Sequence, residues 1–281
     1  MKSLNTLIKI ELFKIFRKGR TYIGFGAIFL IIFAIQAGVY FEGQNLFDFL
    51  MMQLDQNFIF EGNLINGYLI TYLVLNTLWI HVPILVALVT GDLIAGEANS
   101  GTFRLILVRP VSRIKLLIAK FLAGWTYVLM LVIFMAILGM GIGILIFGKG
   151  DLMVFKGSIN FFSADELPWR FIAAFGFGVL SLTVVASLSF MLSAFSDNSI
   201  GPIIGSVAII IGVSIISNIG FSVMKPINPY LFTNYLPGWQ QFFVFDPNIP
   251  KLLRSVFVQF GYIIVFLGIT FLYFRKKDIL S

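Results

Sequence analysis

The chain has 281 residues, of which 59% are hydrophobic and only 12% are charged, and its mean hydropathy is +0.97. A soluble domain carries about 25% charged residues, so this composition excludes an ordinary soluble globular protein. The absence of cysteine excludes disulfides, thiolate nucleophiles and cysteine metal sites. The net charge of +7 does not indicate nucleic-acid binding, because the basic residues gather beside apolar segments.

Six long runs contain no Asp, Glu, Lys or Arg. A helix rises about 1.5 Å per residue, so roughly 20 apolar residues cross a hydrocarbon core of about 30 Å, and each run is long enough. We therefore predict an all-α membrane protein with six transmembrane helices. Too little chain remains for a separate soluble core, so residues 1–281 should form a single transmembrane domain. The runs cover residues 21–41, 62–91, 121–148, 171–196, 198–224 and 255–274.

Residues 1–20 precede the first run and combine apolar with basic residues. Leu4, Ile8, Leu12 and Ile15 follow one another at intervals of three or four, and the basic residues lie mostly elsewhere. The pattern predicts an amphipathic interfacial helix on the inner leaflet, with its basic residues near anionic head groups. The alternative is a solvated basic flank of the first span.

Basic residues concentrate on one side of the predicted membrane. Fourteen of the 20 Lys and Arg lie in the N-terminal segment, in the connection between the second and third spans, and in the C-terminal tail. Because Lys and Arg favour cytoplasmic loops, we predict that both termini are cytoplasmic. The localisation expected from this pattern is multi-pass in the plasma membrane, which is the inner membrane of a bacterium.

The second span contains Pro83, which should kink it, and His81, the only histidine in the sequence. An ionisable group inside a membrane is a functional candidate by default. No run contains a carboxylate or a second histidine, so a metal site, a proton relay or an intramembrane protease lacks the necessary parts. We expect a neutral His81 that is hydrogen-bonded to another helix. The span is predicted to extend to about Glu97.

The connection between the second and third spans, residues 97–113, is the most informative stretch. Asn-Ser-Gly at positions 99–101 predicts a helix break. The residues at 102–108 then predict a short amphipathic helix, which Pro110 ends, and Ser112 is predicted to cap the third span. A cytoplasmic helix between two membrane helices can tilt both of them when it is pushed.

Short sequence features predict the connections that follow the fourth and fifth spans. The polar residues 196–199 predict a tight cytoplasmic hairpin between the fourth and fifth spans. The charge-free residues 226–245 contain three prolines and several amides, which favours a re-entrant or surface-lying outer segment within 225–254 over a seventh span.

Within the spans, small-residue pairs such as Ala174 and Gly178 predict close helix packing. Seven polar residues inside the spans could line a path for a substrate: Gln36, Asn66, Asn76, Ser181, Ser187, Ser214 and Asn218. We expect most of them to make interhelical or backbone hydrogen bonds instead.

The connection also carries a sequence pattern at Glu97, Gly101, Thr102, Pro110, Val111, Ser112, Arg113 and Lys120. It resembles the cytoplasmic loop of ATP-binding-cassette (ABC) exporter permeases of the second exporter class, which reads approximately E-x-x-x-G-T, five to seven mostly apolar residues, P-[VI]-S-R and then K. The resemblance extends over the whole chain through six spans, cytoplasmic termini, an N-terminal interfacial helix and a long outer segment before the last span.

The resemblance implies that the short helix is a coupling helix seated in a groove of a separate ABC ATPase subunit. Two permeases, as a homodimer or as two homologous chains, would join two ATPases, and ATP-driven closure would rock the permease helices. Apolar residues of the helix would insert into the partner, its arginines would pair with acidic groups or lipid phosphate, and Glu97 would brace it. Plain positive-inside charge and a solvated helix-end carboxylate are the alternatives. The implied ATPase interface comprises Glu97, Gly101, Thr102, Phe103, Arg104, Leu105, Ile106, Arg109, Pro110 and Arg113.

The sequence contains no G-x-x-x-x-G-K-[ST] motif, so ATP and Mg would be bound by the partner ATPase. We expect no catalytic residue, cofactor or metal in this chain, which would be a transport subunit and not an enzyme. Its partners would be the ATPase, a second permease and membrane lipid, without nucleic acid. The apolar spans favour export of a hydrophobic, lipidic or peptide substrate. Alternatives are a membrane partner that transmits ATPase motion to an extracytoplasmic protein, or a secondary transporter that needs no ATPase.

Overall fold

The computed structural model describes residues 3–52, 65–101, 112–155, 159–219 and 226–276. Within these residues, six helices are long and apolar enough to cross a membrane, which confirms the predicted all-α fold with six spans. In chain order the helices are α1 (Leu4–Arg17), α2 (Gly19–Met52), α3 (Gly67–Thr90), α4 (Ala95–Asn99), α5 (Arg113–Phe147), α6 (Leu167–Phe195), α7 (Ile200–Ile219) and α8 (Ile249–Lys276). The six spans are α2, α3, α5, α6, α7 and α8.

Helix α1 begins at the predicted place but packs differently from the prediction. Ser3 caps it by accepting a hydrogen bond from the Thr6 amide at 3.3 Å. Leu7 and Ile15 are buried, as expected for an apolar face, and so is Glu11 between them. This face lies against the start of α5 as well as beside α2. The helix is therefore attached to the bundle by a face that includes a carboxylate.

The centre of the bundle is α6. In its most apolar stretch 67% of the residues are buried inside the protein, against 11% for α7 and 17% for α8. Helices α3, α5, α7 and α8 all pack against α6. The peripheral α7 and α8 present most of their apolar surface outward, where a bilayer would cover it.

Helix α5 changes its hydrogen-bonding pattern near its end. Residues Ile137–Ile142 form a π-helical segment, and the carbonyl of Leu138 accepts a hydrogen bond from the side chain of Gln36 at 2.8 Å. Close by, a Cβ at Gly67 would lie only 2.5 Å from the Cα of Ile144. Glycine at the start of α3 thus allows two backbones to touch, at a position that was not among the predicted small-residue pairs.

The connections include one element that the sequence did not predict. Strands β1 (Leu152–Phe155) and β2 (Ile159–Phe162) form an antiparallel hairpin between α5 and α6. The connection between α6 and α7 is the tight hairpin that was predicted. Ser196 accepts a hydrogen bond from the Asn198 amide at 3.1 Å, and the Asn198 side chain accepts one from the Ile200 amide at 3.0 Å.

Between α7 and α8 the described chain forms two 3₁₀ helices, Asn228–Tyr230 and Phe232–Phe243. The second buries Leu236 and Trp239 against α6. These two side chains share a cavity with Pro83 and Leu182, which lie near the middle of α3 and α6. The segment therefore enters the bundle to about mid-depth and does not form a further span.

Candidate functional site: an ionic junction at the 2–3 connection

The second span ends earlier than the sequence predicted. Helix α3 stops at Thr90, a tight turn follows at residues 91–94, and α4 then carries Glu97. The hydroxyl of Ser193 on α6 accepts hydrogen bonds from the amides of Ile94 at 3.1 Å and Ala95 at 2.9 Å. Because a side chain from another helix satisfies these amides, the chain can leave the helix before Glu97, and the prediction of a continuous helix to Glu97 was wrong.

Glu97 belongs to a closed ring of four charged side chains. The ammonium of Lys14 lies 2.7 Å from one oxygen of Glu97 and 2.7 Å from one oxygen of Glu11. The ammonium of Lys120 lies 2.6 Å from the other oxygen of Glu97 and 2.9 Å from the other oxygen of Glu11. Each carboxylate uses both oxygens and each ammonium bridges both carboxylates, so the ring is charge-balanced.

Three of the four side chains in the ring are shielded from solvent, whereas that of Lys14 is 37% exposed. The Lys120 side chain is 1% exposed, and those of Glu11 and Glu97 are 5% and 10% exposed. Burial opposes ionisation of Glu97, but Lys120 and Lys14 outweigh it and hold the pKa of this carboxyl below its usual value. Burial likewise opposes the charge of Lys14, but Glu11 and Glu97 outweigh it and raise the pKa of this ammonium. Glu97 and Lys14 are therefore most stable as ions.

A second charged group lies beside the ring. Asp92, in the turn after α3, lies 2.6 Å from the ammonium of Lys18 and 3.0 Å from a guanidinium nitrogen of Arg20. Gly96 leaves room for this carboxylate, since a Cβ there would collide with it. We call the ring and the Asp92 group together the ionic junction. It joins α1, the start of α2, the turn after α3, α4 and α5.

Only part of the predicted ATPase interface falls within the described residues. Glu97 is buried in the ring, Gly101 has a φ of +67°, which favours glycine, and Arg113 is exposed at the first turn of α5. Ser112 precedes α5 at the N-cap position, although its side chain makes no capping hydrogen bond. The other predicted positions lie outside the described residues: Thr102, Phe103, Arg104, Leu105, Ile106, Arg109 and Pro110.

The polar residues inside the spans mostly bond to backbone. Asn66 donates to the carbonyl of Asp151 at 2.7 Å, and Asn76 donates to that of Tyr72 at 2.8 Å. His81 bonds to the carbonyl of Thr77 on its own helix at 2.8 Å and is exposed, so the expectation of a bond to another helix was wrong. Within the described part of the chain no group of three or more His, Asp or Glu could hold a metal ion.

A sequence family described as "Protein of unknown function (DUF2705)" matches residues 27–280, which is nearly the whole chain. The chain belongs to this family. It is also similar to the uncharacterized protein YhcI of Bacillus subtilis (strain 168), with 24% identity over 213 residues, 68% of this chain and 63% of that protein. The chain thus covers less than two thirds of that relative. The region matched to the DUF2705 family includes Asp92, Glu97 and Lys120 but not α1.

Sequence reasoning missed the partners of Glu97. Lys120 was assigned to a cytoplasmic loop, yet it lies two turns inside α5 and is almost fully buried. For Glu11 a local signal existed, because it is the only acidic residue among the first 20 and it falls on the apolar face between Leu7 and Ile15. A carboxylate at such a position indicates a buried ionic contact.

Proposed function

We propose that this chain is the membrane-spanning permease subunit of an ATP-driven ABC exporter. In this proposal a separate ATPase subunit hydrolyses ATP, and the chain couples that hydrolysis to export of a hydrophobic, lipidic or peptide substrate. Two copies of the chain, or this chain and a homologous permease, would pair with two ATPases in the plasma membrane. The segment at 97–113 would be the surface that the ATPase holds.

The observation that carries the proposal is the ionic junction. The segment at 97–113 starts at Glu97, and Glu97 is bridged at 2.6 to 2.7 Å to α5 through Lys120 and to α1 through Lys14. It ends at Arg113, where α5 begins. Both ends of the segment are thus attached to α5, and the Glu97 end is also attached to α1. A displacement of the segment would move α1, α4 and α5 together, which is the behaviour that a coupling element requires.

Contacts from the other spans extend this coupling. The turn at 91–94 is fixed to α6 through the Ser193 hydroxyl. A Cβ at Gly124 on α5 would lie 2.7 Å from the Leu93 side chain, so α5 packs tightly against the same turn. The turn therefore contacts both α5 and α6 within a few residues. Movement at this end would reach the centre of the bundle through α6.

The proposal also rests on the sequence pattern from Glu97 to Lys120, which resembles the ATPase-binding loop of this permease class. The lack of a nucleotide-binding motif in the sequence makes a separate motor subunit necessary. A secondary transporter typically places charged or strongly polar residues near the middle of its spans. In the described residues the buried ion pairs instead lie at the two ends of the bundle, which favours an external motor.

The test is co-purification with an ATPase. The chain would be co-expressed with ATPases encoded beside it and extracted in mild detergent. Replacement of residues 103–106 by alternating Asp and Gly should abolish ATPase association, because it removes the apolar side chains that would enter the partner. Membrane insertion should be unchanged, as measured by fractionation.

The matched control changes another turn at the same end of the bundle. Asn198 and Ser199, between α6 and α7, would be replaced by Gly and Asp, and association should persist. Retained ATPase association in the 103–106 variant would contradict the coupling-helix assignment. Substrate movement by the purified chain in liposomes without nucleotide would contradict the ATP-driven function itself.

A further inference from the structure

A cavity of about 50 Å³ lies in the middle of the bundle, between α3, α5, α6 and the second 3₁₀ helix. Trp79 and Pro83 of α3 form one wall, and Phe175 of α6 and Trp239 of the 3₁₀ helix form others. A single water needs about 10–15 Å³, so the space is several times larger than one water requires. The cavity therefore has room for a larger guest.

The chemistry of the lining favours a particular kind of guest. Apart from the indoles of Trp79 and Trp239, Ser181 supplies the only nitrogen or oxygen among the lining side chains. Indole N–H groups only donate hydrogen bonds, whereas the Ser181 hydroxyl donates one and can also accept. Water would bring two donors to a wall with this single acceptor oxygen, and it needs two to four polar partners. An apolar molecule with an acceptor oxygen matches this wall better.

Ser181 marks the place where that oxygen would bind. The residue is only 4% exposed, and its hydroxyl has no hydrogen-bond partner in the described part of the chain. Two other hydroxyls of α6 bond to their own helix: Thr183 donates to the Val179 carbonyl at 2.7 Å and Ser187 to the Val184 carbonyl at 2.8 Å. Ser189 also has no hydrogen-bond partner among the described residues, but it does not line the cavity. A buried unpaired hydroxyl costs free energy, so an acceptor presented to Ser181 would be favoured.

Gly178 keeps the cavity open one turn away from Ser181. A Cβ at this position would meet no heavy atom within 4 Å, although Gly178 lines the cavity and is only partly exposed. The predicted role of Ala174 and Gly178 in close helix packing does not apply at Gly178, because no neighbouring helix touches it there. A glycine here enlarges the cavity.

From these observations we infer that the cavity is a binding site for a small, mostly hydrocarbon molecule that carries one hydrogen-bond acceptor oxygen, which Ser181 binds. The guest reaches the site from the hydrocarbon core, since Ser181 lies at the middle of α6. Binding requires neither nucleotide nor a partner subunit. A negative result at this site would therefore leave the proposed ATPase coupling untouched, and the reverse also holds.

The test compares two photoreactive probes on the full chain in phospholipid nanodiscs. One is a medium-chain ketone carrying a diazirine, and the other is the alkane of the same length with the same diazirine. Mass spectrometry of the cross-linked peptides should place the ketone on the segments that contain Trp79, Ser181 and Trp239. Excess unlabelled ketone should compete for these sites.

Ser181→Ala should weaken ketone labelling about fivefold, which corresponds to one lost hydrogen bond, and should leave alkane labelling unchanged. Gly178→Leu should fill the cavity and remove labelling by both probes. The matched control is Gly176→Leu on the exposed side of the same helix, where a Cβ also meets nothing, and labelling should persist.

Equal ketone labelling in Ser181→Ala and the parent protein would overturn the inference. So would labelling that spreads over all exposed spans and resists Gly178→Leu. If Gly178→Leu does not fold, the ketone-to-alkane ratio in Ser181→Ala still decides, because loss of one hydroxyl leaves the packing volume of the bundle nearly unchanged.

Discussion

The two ends of the helix bundle bury charge in different ways. At the end that holds α1, the ring pairs two carboxylates with two ammonium groups. At the other end a single cation, Arg170, is 6% exposed and lies 4.2 Å above the ring of Phe162. Its guanidinium donates to the carbonyls of Phe242 at 2.8 Å and Val244 at 3.3 Å, and it reaches Glu166 at 3.4 Å.

The two ends differ in whether their charge balance can change. Arg170 is held mainly by backbone dipoles and a π-face. The ring instead depends on four side chains from α1, α4 and α5, so protonation of Glu97 or a shift of one helix unbalances it. We expect the Arg170 end to act as the fixed part of the bundle. The ionic junction is the part whose charge balance can change.

The largest effect should follow from Lys120→Met. The substitution leaves Glu11 and Glu97 buried with only Lys14 between them, and breaking a buried ion pair in this way costs about 3–5 kcal/mol. The free energy of unfolding in detergent micelles, measured by thermal or denaturant titration, should fall by that amount.

The control for Lys120→Met is a charge-balanced pair. Lys120→Met combined with Glu11→Leu removes one cation and one anion, so Lys14 and Glu97 remain as a pair. Most of the lost stability should return, because well-packed apolar groups often replace a buried ion pair without cost. If the double variant is as unstable as the single one, the ring is not the reason for the loss.

At the opposite end, Arg170→Lys should have a smaller effect. Lysine keeps the charge but cannot reach the carbonyls of Phe242 and Val244 with a planar fork, so about 1–3 kcal/mol should be lost. Hydrogen exchange should rise locally at Phe232–Phe243 and not at α1. Glu166→Gln is the matched control and should change little, because the Glu166 side chain is 55% exposed. Increased exchange at α1 would contradict the separation of the two ends.

Acid should weaken the ionic junction before it weakens the Arg170 end. The pKa of Glu97 is lower in the folded protein than its usual value of 4.5. The resulting stabilisation is therefore present above about pH 4.5 and is lost as the pH falls through the folded-state pKa. Unfolding titrations at decreasing pH should show this loss as a fall in the free energy of unfolding. Glu97→Gln should make the free energy of unfolding depend less on pH. An unchanged pH dependence in Glu97→Gln would exclude Glu97 as its source.

The six spans could be predicted because a charge-free run reports a local property of the chain. The charge-free run alone misplaces the start of the third helix, since α5 begins at Arg113, eight residues before that run, directly after Ser112, which was predicted to cap it. The absence of charge indicates where lipid begins, but the helix continues beyond it. Lys120 therefore lies inside a helix although it borders a loop in the sequence.

Parts of the candidate site depend on contacts between residues far apart in the chain. The turn after α3 exists because Ser193, 98 residues from Ala95, accepts its amides. The ring needs Lys120 to meet Glu11 across 109 residues. No local pattern predicts such pairings. Glu11 itself was visible as an acid on an apolar helix face, and only its partners required the structure.

The smallest expected effect is that of Asp92→Asn. Asp92 itself is 4% exposed, but the side chains of Lys18 and Arg20 are 45% and 38% exposed, so solvent and salt weaken both pairs. The free energy of unfolding should fall by about 1 kcal/mol at low salt. The difference from the parent protein should shrink as ionic strength rises, whereas the deficit of Lys120→Met should persist because its partners are shielded. A salt-independent deficit in Asp92→Asn would mean that Asp92 acts as part of the buried ring, and the ionic junction would then be one unit.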